Sequence, residues 1–239
     1  MVMRIAAVAD VHAPRYLDLL NRALESSGLG DASLLVMAGD MIEKGKVRYF
    51  AQVYERVRRH FKGPIVGVFG NEEYDEVKPE LRRYDVVWLD DEVYRVEVGG
   101  VRLSIVGTRG SLDSPTTWQA KHIPGIEEIY RARVERVRSL LREARRGSDL
   151  VVLVTHYAPR CGTLVGEDPR IWRFLASSAM GEVVREEQPE IVIHGHVHKG
   201  RVPTCRLGRS TVYNVSIPAR GGITVIEVGP TEADITRWF

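Results

Sequence analysis

Histidine is scarce in this chain, seven residues in 239, yet three of them fall within five positions in His194-Gly-His-Val-His198. The cluster lies well inside the chain and directly after the apolar run Ile191-Val192-Ile193, so it is not a tag. A purely structural cluster would need a partner for both nitrogens of every ring. Metal binding is the chemistry that uses several imidazoles together, and other parts of the sequence supply further donors. Asp10 and His12 stand two apart, as do His196 and His198, so in extended backbone the members of each pair face the same way. Asp40, Asn71 and His156 complete a set of seven.

Each member follows a short apolar segment. Arg4–Ala9 stops at Asp10, Ser33–Ala38 at Gly39-Asp40, Ile65–Phe69 at Gly70-Asn71, Leu150–Thr155 at His156, and Ile191–Ile193 at the histidine cluster. Near-continuous apolar runs of this length predict strands buried on both faces, as in parallel sheets. Helical spacing fills the intervals: Leu17, Leu20 and Leu24; Val47, Phe50, Val53 (or Tyr54) and Val57; Val134, Val137, Leu141 and Ala144. Tyr94–Val98 and Val101–Val106 alternate apolar and polar residues across Gly99-Gly100, which predicts a hairpin. Thr211–Val215, Gly222–Val228 and Ala233–Phe239 are expected as further antiparallel strands, with Gly229-Pro230 as a turn. The expected fold is α/β, two packed sheets of mixed strands flanked by helices, in a single domain over residues 1–239 without linker or repeat.

Ligands of an open α/β sheet bind beyond the C-terminal ends of its strands, so the seven donors should converge on one edge. They are too many for one tetrahedral zinc, and two cysteines are too few for an iron–sulfur centre. They divide into two mixed oxygen and nitrogen shells sharing one carboxylate. Metal pairs held about 3.5–4 Å apart in this way clamp the attacking and leaving oxygens of a phosphoryl transfer. Four imidazoles favour Mn²⁺, with Fe, Zn, Ni or Co as alternatives, over Mg²⁺.

The ordered blocks Asp10-x-His12, Gly39-Asp40, Gly70-Asn71, His156 and Gly195-His196-x-His198 resemble the calcineurin-like metallophosphoesterases, and Tyr213–Pro218 is also typical of them. The resemblance implies a β-sandwich core and hydrolysis of phosphate mono- or diesters by a metal-bridging hydroxide. It implies that Asp10, His12, Asp40 and His198 hold one metal, and Asp40, Asn71, His156 and His196 the other, with Asp40 between them. Asn71 would also contact the phosphate. One position departs from the family: Glu72 stands where the family's leaving-group-protonating histidine usually sits. An exposed glutamate, with an ordinary pKa of about 4.3, is ionised near neutral pH and cannot donate a proton. Branches of the family that lack this histidine often hydrolyse diesters, so the resemblance implies a phosphodiesterase. An ionised Glu72 predicts a preference for good leaving groups, and Glu72 is the residue to test as catalytic acid.

The remaining features have plainer readings. His194 is assigned to packing around the site, His60 to a helix end, and His122 to a solvated loop between Gly110 and Gly125. Arg160, four residues after His156, has the fork geometry for a substrate phosphate, though a surface position is as reasonable. The arginines of 131–146 alternate with glutamates at helical spacing, and the net charge is +2, so a small phosphate ester is favoured over a nuclease's nucleic acid. A non-catalytic binding scaffold ranks last because all seven donors are present. Nothing is long and apolar enough for a membrane span or a signal peptide. Cys161 and Cys205 form no CxxC motif; both follow metal-bearing segments, so a bond between them is conceivable, but free thiols are the expectation, which makes a cytoplasmic location the default. Three Asn and three Gln in the whole chain lean toward a thermophile.

Overall fold

A computed structural model describes residues 3–228. The strand expected over Ala233–Phe239 and the Gly229-Pro230 turn lie outside them. The strands are β1 Met3–Val8, β2 Leu34–Ala38, β3 Ile65–Val68, β4 Val87–Leu89, β5 Glu92–Val98, β6 Val101–Thr108, β7 Leu150–Thr155, β8 Ala158–Pro159, β9 Ala176–Ser177, β10 Ile191–His194, β11 Thr204–Leu207, β12 Ser210–Asn214 and β13 Thr224–Val228. The helices are α1 Leu17–Ser26, α2 Phe50–His60, α3 Lys78–Leu81, α4 Thr117–His122, α5 Ile126–Arg145, α6 Ser178–Glu187 and α7 Ile217–Arg220.

One sheet runs β13-β1-β2-β3-β4 and the other β11-β12-β10-β7-β6-β5, with a two-stranded β8-β9 patch beside them. Strands β1 to β4 are mutually parallel, as are β12, β10, β7 and β6, and the antiparallel strands β13, β11 and β5 occupy edges. The pleat explains the unbroken apolar runs. Ile5 and Ala7 face the other sheet, packing with Val36, Ile105, Val152 and Ile193, while Ala6 and Val8 face α1 and α2 through Leu20, Leu24, Phe50 and Val53. On the far side Val151, Leu153 and Val192 pack against Val134, Val137 and Leu141 of α5 and Met180 and Val184 of α6. The layers are thus helix, sheet, sheet, helix, as the expected class requires. Among the described residues no helix is long and apolar enough to cross a membrane.

The hairpin forms as expected, with Val98 opposite Val101 and both turn glycines in left-handed backbone, φ 59° and 82°. The C-terminal part differs from expectation. Strand β12 runs parallel to β10, with Ile191 opposite Thr211, and is antiparallel only to the unforeseen β11. Strand β13 does pair antiparallel, with β1. The arginines of α5 are mostly paired with acids: Arg131 with Glu128, Arg138 with Glu135, and Arg142 with Glu187. Each exposed pair contributes under about 1 kcal/mol, against about 1.5–3 kcal/mol for a fully buried Val or Leu. The apolar stripe holds α5 in place, and the arginines solubilise its outer face.

Candidate metal centre

The seven donors do meet at the C-terminal ends of the parallel strands. Asp10 and His12 follow β1, Asp40 follows β2, Asn71 follows β3, His156 follows β7, and His196 and His198 follow β10. Two groups result, Asp10–His12–His198 and Asp40–His156–His196, and within each the donor atoms lie within 4.8 Å of one another. Asp40 connects them: its Oδ2 is 3.3 Å from His156 Nε2 and 3.7 Å from His12 Nε2. Asn71 Oδ1 is 3.1 Å from His156 Nε2, and His198 Nε2 is 3.3 Å from Asp10.

Main-chain donors and acceptors aim these groups. Asp10 accepts the His196 N–H through both oxygens at 2.8 and 3.1 Å, and Asp40 Oδ1 accepts the Glu72 N–H at 2.8 Å. His156 donates its Nδ1–H to the Ala38 carbonyl at 3.0 Å, which leaves the Nε2 lone pair for a ligand. His196 donates from Nε2 to the Phe174 carbonyl at 3.3 Å, which leaves Nδ1. Asp10, His12, Asp40 and His196 all have left-handed backbone, φ 60°, 43°, 53° and 67°, a conformation that non-glycine residues keep only when their surroundings enforce it. Close backbone approach explains the glycines: a Cβ on Gly70 would lie 2.1 Å from Asp40 Oδ1, and one on Gly195 2.6 Å from Ala9 Cβ.

The electrostatics fit a cation. Burial pushes the Asp10 and Asp40 carboxyls up. The hydrogen bond and charge of His198 outweigh this for Asp10, as do the charge and hydrogen bond of His156 for Asp40, and both stay below the ordinary carboxylate range. Burial lowers His156, but the adjacent Asp40 charge and hydrogen bond raise it to about 9. Burial and the neighbouring His156 hold His196 at about 3. The carboxylates therefore keep positive charge among the imidazoles, and a divalent ion can replace those protons. Oxygen and imidazole donors of this mix suit transition-metal dications.

His194 is in neither group: it donates to the Gly195 carbonyl at 2.8 Å and accepts from Thr163 Oγ1 at 2.9 Å, a buried packing role as expected. His60 ends α2 and is exposed. The segment expected as a solvated loop around His122 instead forms α4, and His122 lines the cleft. Glu72 also lines the cleft, but its Oε2 accepts the Lys44 N–H at 2.6 Å and so braces the neighbouring turn. Arg160 is drawn away to Asp113 at 3.0 Å and lies over the Trp172 ring, and it does not line the cleft. Cys161 and Cys205 are joined in a disulfide, not free. That bond removes the ground the cysteines gave for a reducing compartment.

Two residues escaped the sequence reading. Glu73 is fully buried and accepts N–H groups from Asp40, Gly70 and Ile42 at 2.7–3.1 Å, tying the ends of β2 and β3 together. Burial, then the Asp40 charge, raises it to about 7. Arg109 follows β6 and lines the cleft with Asn71 and His196; its Nη2 donates to the Glu73 carbonyl at 2.9 Å, and its buried Nε has no partner among the described residues. Its signal was available, since Thr108-Arg109-Gly110 is another polar stop after an apolar strand.

A family model described as calcineurin-like phosphoesterase matches residues 3–200. No curated protein matches the sequence. Among solved structures, the chain is similar to a phosphopantetheinyl hydrolase from Mycobacterium tuberculosis (TM-score 0.70, 17% identity, covering 95% of this chain and 96% of the other). It is similar to GAP50, the anchor in the inner membrane complex of Plasmodium (0.66, 12%, 95% and 81%). It is also similar to a dimetal phosphatase from Danio rerio (0.60, 13%, 89% and 86%). At these identities the likeness is one of fold.

Proposed function

The chain belongs to the calcineurin-like phosphoesterase family, metal-dependent hydrolases of phosphate esters, and from that premise we propose that it cleaves small phosphodiesters at a two-metal centre. The observation that carries the reading is Asp40, one buried carboxylate within reach of His12 at 3.7 Å and of His156 at 3.3 Å, which couples two donor groups into one site. In this proposal Asp10, His12, Asp40 and His198 hold one ion, and Asp40, Asn71, His156 and His196 the other. Mn²⁺ is the first choice on the strength of the four imidazoles. When bound, the two cations supply an activated water and a Lewis-acid clamp on the phosphate.

The chain's own contribution is orientation. Main-chain N–H groups fix the two carboxylates and the Ala38 carbonyl fixes the His156 ring, so little reorganisation accompanies binding. Asn71 and Arg109 face the phosphate in this reading, Arg109 taking the place expected of Arg160. The diester preference rests on the family resemblance of a chain without the usual histidine. The preference for good leaving groups rests on Glu72, whose carboxylate accepts from the Lys44 N–H and is poorly placed to protonate a leaving group. The pairing of the α5 arginines with glutamates supports a small ester over nucleic acid. We propose a single domain acting in the cytoplasm. A disulfide there is of the kind that intracellular proteins of hyperthermophiles keep.

The test is a screen of the Mn²⁺-loaded protein against mono-, di- and cyclic phosphate esters and single-stranded DNA. Aryl diesters should turn over fastest. Faster cleavage of alkyl monoesters would refute the diesterase reading, and cleavage of DNA alone would refute the small-ester reading.

A further inference from the structure

The cleft that reaches Asn71 and His196 has a volume of about 740 Å³, within the range of small-molecule sites. Its outer wall is aromatic. Tyr74, Trp118 and His122 form a row of near-parallel rings, with centroids 6.2 and 4.8 Å apart and planes within 14° and 24° of each other. Trp118 is 54% exposed, the most of any large apolar side chain among the described residues, and Tyr74 is 36% exposed.

The row is firmly held. Thr116 and Gln119 form a reciprocal capping box at the start of α4, and the Gln119 side chain donates to the buried Tyr157 hydroxyl at 2.9 Å. Tyr157 is the residue after His156, so the wall and the metal centre share one support. His122 donates its Nδ1–H to the Trp118 carbonyl at 2.8 Å, which fixes its ring against the indole. An exposed tryptophan that only covered the fold would not need this bracing.

We propose that Tyr74, Trp118 and His122 form a stacking subsite for a nucleobase-sized planar heteroaromatic ring carried by the phosphate ester. A flat ring matches near-parallel aromatic faces better than an aliphatic chain does. Continuity of the wall with Asn71 and His196 means that a ring stacked there can be joined to the group bound at the metal centre. The proposal deepens the phosphoesterase reading and rests on it for the phosphate anchor only.

The experiment is calorimetric titration of the full-length Mn²⁺-loaded protein with two hydrolysis-inert phosphonates, that of adenosine at the 5′ position and that of ribose lacking the base. The base-bearing compound should bind roughly ten- to a hundredfold tighter, the stacking loss on aromatic deletion converted at 1.4 kcal/mol per tenfold. Trp118→Ala should bring the ratio of the two affinities toward one, and Trp118→Phe should keep most of it. A merely structural role for Trp118 would shift both affinities together and leave the ratio unchanged. Equal affinities in the wild type, a ratio unmoved by Trp118→Ala, or binding of neither compound would overturn the subsite. Failure to cleave diesters would sink the proposed reaction while leaving this binding ratio intact.

Discussion

Gly70→Ala is the smallest change that should disable the centre. The added methyl would stand 2.1 Å from Asp40 Oδ1 and 2.6 Å from the Asp40 main-chain nitrogen, whereas real Cβ atoms essentially never come within 3.0 Å of a neighbour. The carboxylate oxygen must therefore retreat by about 0.9 Å. It cannot retreat freely, because Oδ1 accepts the Glu72 N–H and the Asp40 nitrogen donates to buried Glu73. A misplacement of about 1 Å costs on the order of a hundredfold in rate, and here the displaced group serves both donor clusters. We expect kcat/KM for bis(4-nitrophenyl) phosphate to fall about a hundredfold or more, with metal content below that of wild type. Gly222→Ala is the control, since its Cβ would meet nothing within 4 Å. Full activity and full metal content in Gly70→Ala would refute the inference that Asp40's position governs the site.

Further outcomes follow from the same geometry. Asp40→Ala should empty both metal positions and His156→Ala mainly one, measured by elemental analysis after Mn²⁺ loading; two ions retained in Asp40→Ala would exclude it as the bridge. Glu72→His should raise the alkyl-to-aryl rate ratio by about ten- to a hundredfold, within the usual worth of a general acid, whereas Glu72→Ala should leave aryl diesters little changed; loss of alkyl turnover in Glu72→Ala would make Glu72 the acid. The Cys161–Cys205 bond closes a loop across 44 residues, and its removal by Cys161→Ser should cost about 4 kcal/mol of stability on the chain-entropy account. For a chain of this size that lowers Tm by about 10 °C, and calorimetry showing an unchanged Tm would mean that the bond does not form.

The donors were readable because β1, β2, β3, β7 and β10 are buried on both faces, so each strand is an apolar run whose end is a polar residue. The elements that escaped lack that contrast. In β11 only Leu207 is buried, as suits a short edge strand, and α4 buries only Gln119, so neither shows an apolar period. The direction of β12 depends on the path between β10 and β11, which local pattern does not encode. The choice left open for Arg160, phosphate contact or surface, turns on its partner Asp113, which comes from a loop 47 residues away. The disulfide was ranked behind free thiols for a similar reason, since nothing local marks two cysteines 44 positions apart as neighbours.

The left-handed backbone at Asp10, His12, Asp40 and His196 bears on how this protein can be engineered. Each such residue carries a conformational penalty on the order of 1 kcal/mol or more that glycine would not. Glycine at all four would relax the backbone and delete the chemistry at once. A library screened for heat resistance without a turnover filter should therefore collect glycines at these positions and drift toward a sturdier but inert protein. Selection for thermostability in this scaffold should be run with metal and substrate present from the first round.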